Sequence, residues 1–181
     1  MIQELKVATS RVGVLIGKAG ATKKELESKT HTTISIDSKE GLVKVEAAEE
    51  SAIPLLRAVE IINAINAGFS PERAFEMIED EDLLLDIIDL SRTADNPRQL
   101  ERLRGRIIGK DGRAREQIEN MTDVDISVFG HTVALIGYPE QMKVARAAID
   151  MLIEGVPHEN VFAFLDKKKK EAKQDMISYY Y

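Results

Sequence analysis

The chain has 181 residues, 44% of them hydrophobic and 31% charged, with a net charge of −6 and no cysteine. That length leaves room for one domain or two small ones with a proper core. The lack of cysteine, with only His31, His131 and His158 scattered along the chain, excludes disulfides and argues against a zinc centre.

Residues 3–9 alternate apolar and polar, with Leu5 and Val7 on one side, and predict a strand. Residues 12–16 form a short apolar turn of helix running into Gly17-Lys18-Ala19-Gly20, and residues 21–28 follow as a charged helix with Leu26 inward. Residues 32–37 and 42–46 are β-branched and alternating, and the Lys39-Glu40-Gly41 turn between them makes a hairpin. From 49 to 67 an apolar stripe of Ile53, Leu56, Val59 and Ile62 follows helical spacing and is expected to be core. Pro54 is tolerated in its first turns, and Gly68 ends it. Ser70-Pro71 then caps a short helix to about residue 79, followed by the acidic knot Glu79-Asp80-Glu81-Asp82, expected to be a solvated junction.

Residues 84–91 predict a strand, although Leu84, Ile87 and Ile88 also fit a helical period. Asn96-Pro97 starts a helix that carries a row of arginines up to Gly109. After Gly109-Lys110-Asp111-Gly112 the earlier order returns: a helix over 113–121, strands over 125–129 and 132–136, and a helix over 140–153 closed by Gly155 and Pro157. A further helical stretch begins near residue 159 and meets the Lys167–Lys170 run, a solvated face or flexible tail; the closing Tyr179-Tyr180-Tyr181 is expected to fray. No apolar run is long enough to span a bilayer and the first residues do not read as a signal peptide, so a cytoplasmic location is expected.

Residues 13–36 and 105–128 are identical at nine positions: Gly13, Ile16, Gly17, Lys18, Gly20, Glu27, Thr30, Ile34, Ser35 and their counterparts 92 positions later. The element order matches too, so the chain is a duplication. Its expected division is residues 1–80 and 81–181. The acidic total disfavours a polyanionic partner, yet residues 98–118 carry seven basic and three acidic side chains, while residues 72–95 carry nine acidic and two basic. Local potential steers a polyanion, so the second copy suits one.

Two glycines around two residues let a chain reverse sharply, with no side chain shielding the turn. The helix that follows points its free amides and positive dipole end at the same place. Lys18 and Lys110 add a cation to each loop. Such a turn suits a sugar–phosphate backbone, and Ile16, Ile108, Ile34 and Ile126 are candidates to line a groove for bases. A nucleotide-binding P-loop is disfavoured, because Gly-x-x-x-x-Gly-Lys-[Ser/Thr] is absent.

The repeated Ile-Gly-Lys-x-Gly between two helices resembles the KH module, whose Gly-x-x-Gly loop clamps about four nucleotides of single-stranded nucleic acid. With the hairpin and long helix after the loop, the order is that of type I. The resemblance implies an α+β fold of two tandem type I KH domains, three-stranded sheets packed on helices, each followed by an extra helix. The segments Arg11-Val-Gly-Val-Leu-Ile-Gly-Lys, Gly68-Phe-Ser-Pro-Glu-Arg-Ala, Arg104-Gly-Arg-Ile-Ile-Gly-Lys and Thr132-Val-Ala-Leu-Ile-Gly together look like the archaeal members of the partner-of-Nob family of ribosome assembly factors. That likeness implies binding of small-subunit rRNA near its 3′ end, cooperation with the Nob endonuclease, and association with the alpha subunit of initiation factor two. It implies neither a catalytic group nor a cofactor.

Carried onto this sequence, the RNA-binding candidates are Gly17, Lys18, Ala19, Gly20 and Lys23 in the first copy. In the second they are Arg104, Arg106, Ile107, Ile108, Gly109, Lys110, Asp111, Gly112, Arg113 and Arg115. Arginines surround the second loop, where the first has Val14 for Arg106 and Lys23-Lys24 for Arg115-Glu116, so the second copy is expected to be the stronger clamp. Two other readings stand beside this one. The chain is a protein-docking scaffold with vestigial grooves, or a hydrolytic RNA-processing subunit using the acidic knot.

Overall fold

Alternating β-branched segments pair as strands and amphipathic segments close over them, twice in succession. The computed structural model describes residues 1–48, 50 and 52–180. Two compact units result, Met1–Leu83 and Leu84–Tyr181. The first runs β1 (Ile2–Lys6), α1 (Thr9–Ile16), α2 (Ala21–Thr30), β2 (Thr33–Asp37), β3 (Leu42–Glu46), α3 (Ile53–Asn66) and α4 (Pro71–Glu79). Its antiparallel sheet has the order β1-β3-β2, with Val43 opposite both Leu5 and Ile36. The second runs β4 (Leu84–Asp89), α5 (Pro97–Ile108), α6 (Arg113–Thr122), β5 (Asp125–Phe129), β6 (Thr132–Gly137), α7 (Pro139–Glu154) and α8 (His158–Tyr180). Its sheet order is β4-β6-β5, also antiparallel. Each unit is an α+β type I KH module followed by an extra helix.

Local chemistry accounts for most boundaries. Asn96 accepts a hydrogen bond from the Gln99 amide at 2.9 Å and Ser70 one from the Arg73 amide at 3.3 Å, each just before a proline at the first helical position. Helices α2 and α6 both stop at a residue in the left-handed region, His31 at φ 54° and Asp123 at φ 56°. The segment that fits either period, residues 84–91, is β4 followed by a short 3-10 turn, because β6 offers it a partner edge. Among the described residues no helix is long and apolar enough to cross a membrane.

Two expectations are corrected. The stripe Ile53, Leu56, Val59, Ile62 does not all face inward: Ile53 is 74% and Leu56 59% exposed, whereas Leu55, Ala58, Val59, Ile62 and Ile65 form the buried face. The sequence there is apolar on more than one side, so spacing alone does not select the face that meets the sheet. The early part of that predicted helix, Glu49 and Ser51, lies outside the described residues. The Lys167–Lys170 run is a solvated helix face, one of its two expected readings; α8 continues through it to Tyr180, although the closing tyrosines were expected to fray, and Tyr181 lies outside the described residues. Its first turns are anchored by Val161 and Leu165, both fully buried, and its lysines lie on the open side.

The duplication includes the trailing helices. Gly68, Glu72 and Phe75 recur as Gly155, Glu159 and Phe162, 87 positions later rather than 92. The offset shrinks because the second unit has a shorter hairpin turn and a single residue, Tyr138, between β6 and α7.

Candidate nucleic-acid interface

The two glycine loops have one backbone. Gly17 has φ 75° and ψ 176°, and Gly109 φ 75° and ψ 178°. Gly20 and Gly112 both have φ 75° with ψ near zero. The glycines of each pair are needed for different reasons. A Cβ on Gly109 would sit 2.5 Å from the Ala114 Cβ and 2.8 Å from its amide nitrogen, and one on Gly17 would sit 2.8 Å from the Thr22 nitrogen. The first glycine thus lets the next helix begin against the loop, while the second supplies only a left-handed turn, with nothing nearer to its Cβ position than 3.9 Å. Between them Ala19 and Asp111 are also left-handed, at φ 54° and 56°. Asp is among the residues that tolerate this region and Ala is not, which gives Asp111 a conformational role beside its charge.

The helical period divides the basic residues of the second unit between two faces. Arg104 and Ile108 share one side of α5, and Arg115 and Glu119 one side of α6, toward β5. Arg102, Arg106 and Arg113 lie about 200° of helix rotation away from Arg104 and Arg115, on the other side. On the β5 side, Arg115 pairs with Glu119, whose second oxygen accepts from the Ile126 amide at 2.9 Å. That carboxylate therefore ties α6 to the free edge of the sheet. In the first unit Lys23 pairs with Glu27 at 3.2 Å in the same place. Arg104 donates to Glu101 at 2.9 Å, while its buried Nε has no acceptor among the described residues.

On the other side lies an open cleft of about 500 Å³, walled by α5, the glycine loop, α6 and the first turn of α8. Arg102, Lys110 and Arg113 point charge into it, and among the described residues no carboxylate pairs with them. Its floor is small, at Gly105, Gly109 and Ala114, and His158 and Phe162 close it from α8. The His158 Nε2–H donates to the Arg106 carbonyl at 2.8 Å, tying α8 to the end of α5.

Several candidates are placed differently from the sequence reading. Arg106 is half-buried and spends its guanidinium on the chain itself: Nε donates to the Leu152 carbonyl at 2.9 Å and Nη2 to the Val156 carbonyl at 2.6 Å. Arg11 makes the same staple in the first unit, to Ile65 at 2.8 Å and Phe69 at 2.8 Å, and burial pulls its pKa down from the usual arginine value. These carbonyls lie at the ends of α7 and α3, where a cation also meets the negative pole of the helix. The two staples come from non-equivalent positions, since Arg106 aligns with Val14 and Arg11 with Leu103. Ile107 is fully buried and holds α5 on the core. Ile34 and Ile126 are 2% and 3% exposed and also face the core, so of the four groove-lining isoleucines only Ile16 and Ile108 remain at the surface. Gly17 to Gly20, Lys23, Lys110, Asp111, Gly112, Arg113 and Arg115 are all on or beside the loops, with Arg113 on the α8 side. The sequence reading missed Arg102, Gln117, His158 and Phe162. The four-residue step from Arg102 to Arg106 and the 87-residue offset of the trailing helices were the available signals.

Comparison with known proteins adds the following. The profile of the eukaryotic-type KH domain (type I), second domain of PNO1, matches residues 84–170, and the general KH-domain profile matches residues 2–64. A KH domain-containing protein of Methanocaldococcus jannaschii is 37% identical over 96% of this chain and 76% of its own length. The RNA-binding protein pno1 of Dictyostelium discoideum is 30% identical over 68% of this chain, which spans 52% of that protein. Among solved structures, Dim2p from Pyrococcus horikoshii superposes with a TM-score of 0.85 at 43% identity, covering 92% of this chain and 99% of that one. A chain from a complex described as a/eIF2alpha, aDim2p and rRNA of the same organism superposes with a TM-score of 0.87 at 43% identity, covering 94% and 95%.

Proposed function

Because the chain belongs to the PNO1 family of KH-domain RNA-binding ribosome assembly factors, we propose that its second unit holds single-stranded small-subunit rRNA near the 3′ end during maturation. The chain is a non-enzymatic binder. The observation that carries the reading is one loop backbone with two chemistries. The geometry at Gly109–Gly112 repeats that at Gly17–Gly20, but in the second unit alone the helices on both sides present arginines. The strand lies between α5–α6 and the β5 edge, its phosphates against the Lys110 ammonium and the loop, with Ile108 beneath a base. With no aromatic platform there, base contact is aliphatic and sequence preference comes from polar groups at the groove wall, among them Arg104 and the Arg115–Glu119 pair.

The Pyrococcus complex that this chain resembles is described as containing rRNA and the alpha subunit of initiation factor two, and this supports the same two partners here. Cooperation with a Nob-type endonuclease that trims the rRNA end belongs to the same reading, as does a cytoplasmic location. The first unit, whose cleft between α2 and α4 is lined by Glu25, Glu72, Glu76 and Glu79, is better suited there to protein docking than to a polyanion.

The test is fluorescence anisotropy with a labelled RNA copying the 3′ end of small-subunit rRNA, against a scrambled RNA. Lys110→Asp is expected to weaken the native RNA about tenfold at moderate salt and to flatten the salt dependence by one to two charges, as reversal of a phosphate contact should. Lys18→Asp should change affinity by less than about threefold on the same scale. Equal loss from both variants would contradict the assignment to the second loop, and no binding at low salt would favour the docking reading.

A further inference from the structure

We propose that the cleft on the α8 side of the second glycine loop is a separate phosphate site, which takes a backbone phosphate of the RNA beyond the nucleotides held in the groove. The inference rests on the reading that the second unit binds RNA. It follows from the partition of charge between two helix faces. The groove lies on the side of Arg104 and Arg115. Arg102 and Arg113 converge on the opposite side, around glycines and an alanine that let a ligand approach the backbone, with Lys110 on the loop that both sides share. A strand in the groove cannot fill both sides with the same phosphates. It reaches the cleft only by passing over the loop tip.

The first unit supplies an internal comparison. Its counterpart cleft, between α2 and α4, is about 290 Å³ and is lined by Glu25, Glu72, Glu76 and Glu79 with Lys29 as its cation. Lys29 is already committed, at 3.2 Å to both Glu25 and Glu79, and those hydrogen bonds raise its pKa. The two clefts overlap at Thr22, Glu25, Pro71 and Phe75, which align with Ala114, Gln117, His158 and Phe162. The aligned positions that differ in charge are Glu25 for Gln117 and Ser10 and Ala21 for Arg102 and Arg113, while Glu72 and Glu79 have acidic counterparts in Glu159 and Asp166. One fold position therefore repels phosphate in the first unit and attracts it in the second. Volume does not distinguish them in kind, since open ligand clefts span roughly 300–1,000 Å³. Charge does. Because α8 contributes His158 and Phe162, the site exists only in a KH module that carries this trailing helix.

The experiment uses the full chain with two RNAs, one of about four nucleotides that fills the groove alone and one extended by about eight more at either end. Arg102→Glu and, separately, Gln117→Glu, which installs the first unit's residue, are compared with wild type. The long RNA should lose about tenfold in affinity, with a salt slope lower by about one, and the short RNA should be unchanged within about twofold. No change in the long RNA would overturn the proposal. So would an equal loss for both RNAs, which would put Arg102 in the groove. Adenosine monophosphate and inorganic phosphate, followed by the Gly105 and Gln117 amide resonances, identify the source. Shifts there with the long RNA indifferent to both variants would make the cleft a free-nucleotide site and overturn its assignment to RNA. If the wild type fails to bind the short RNA, the groove reading fails, while the long RNA's dependence on Arg102 still reports on the cleft.

Discussion

Arg106→Ala is expected to destabilise the second unit by about 2–3 kcal/mol, although the sequence presents this residue as an RNA contact. Its guanidinium makes two hydrogen bonds, to the Leu152 carbonyl in the last turn of α7 at 2.9 Å and to the Val156 carbonyl just beyond that helix at 2.6 Å. Hydrogen bonds to charged groups contribute ~1.5–3 kcal/mol each, and the lower end applies here because the freed carbonyls of Leu152 and Val156 regain some water. Arg106→Lys should recover little, since a single ammonium cannot span carbonyls four residues apart as a planar fork does. Arg11→Ala should do the same to the first unit through Ile65 and Phe69. Urea unfolding measures the loss, and amide exchange in α7 against α3 shows which unit opens. An Arg106→Ala chain with unchanged stability and lost RNA binding would return Arg106 to the RNA surface.

A methyl group on Gly109 should cost more than one on Gly112, because packing and backbone both resist it at the first position and only a left-handed turn does at the second. At Gly109 the new Cβ meets the Ala114 Cβ and amide nitrogen, and backbone cannot step aside without moving the first turn of α6. The backbone there, at φ 75° and ψ 178°, lies in a region open essentially to glycine alone and adds a cost of ~1–3 kcal/mol. The sum is on the order of 3 kcal/mol or more, with a loss of RNA affinity of about thirtyfold or greater as Lys110 and Arg113 shift. Gly112→Ala pays only the conformational part, ~1 kcal/mol, and should bind RNA within about fivefold of wild type. Thermal unfolding and anisotropy on the two single variants decide it. Equal effects would mean that the close approach to Ala114 is not what holds the loop.

The repeat, its strands and its loops were legible in the sequence because each depends on residues near in the chain. Alternation marks a strand wherever it pairs, and Gly-Lys-x-Gly specifies a reversal by its own dihedral freedom. Asn96-Pro97 and Ser70-Pro71 announce helix starts through their own hydrogen bonds. The type I order followed from the order of those elements, and the basic bias of residues 98–118 from simple counting. What the arginines do was not legible in that way. A helical period states that Arg102 and Arg106 share a face and Arg104 does not, but not which face meets β5 and which meets α8. That angle is set by Ile107 and its partners in the core. Likewise an arginine has the same charge in the sequence whether water, a phosphate or the carbonyls at the end of α7 receive its N–H groups. The two stapling arginines come from unaligned positions, so comparing the repeats could not reveal them. The outward turn of Ile53 and Leu56 and the inward turn of Ile126 have the same origin. The local sequence pattern determined that this chain would form two small α+β modules around glycine loops; packing decided which of its cations remained free to meet RNA, because only the neighbouring elements in space determine which side of each helix is used up.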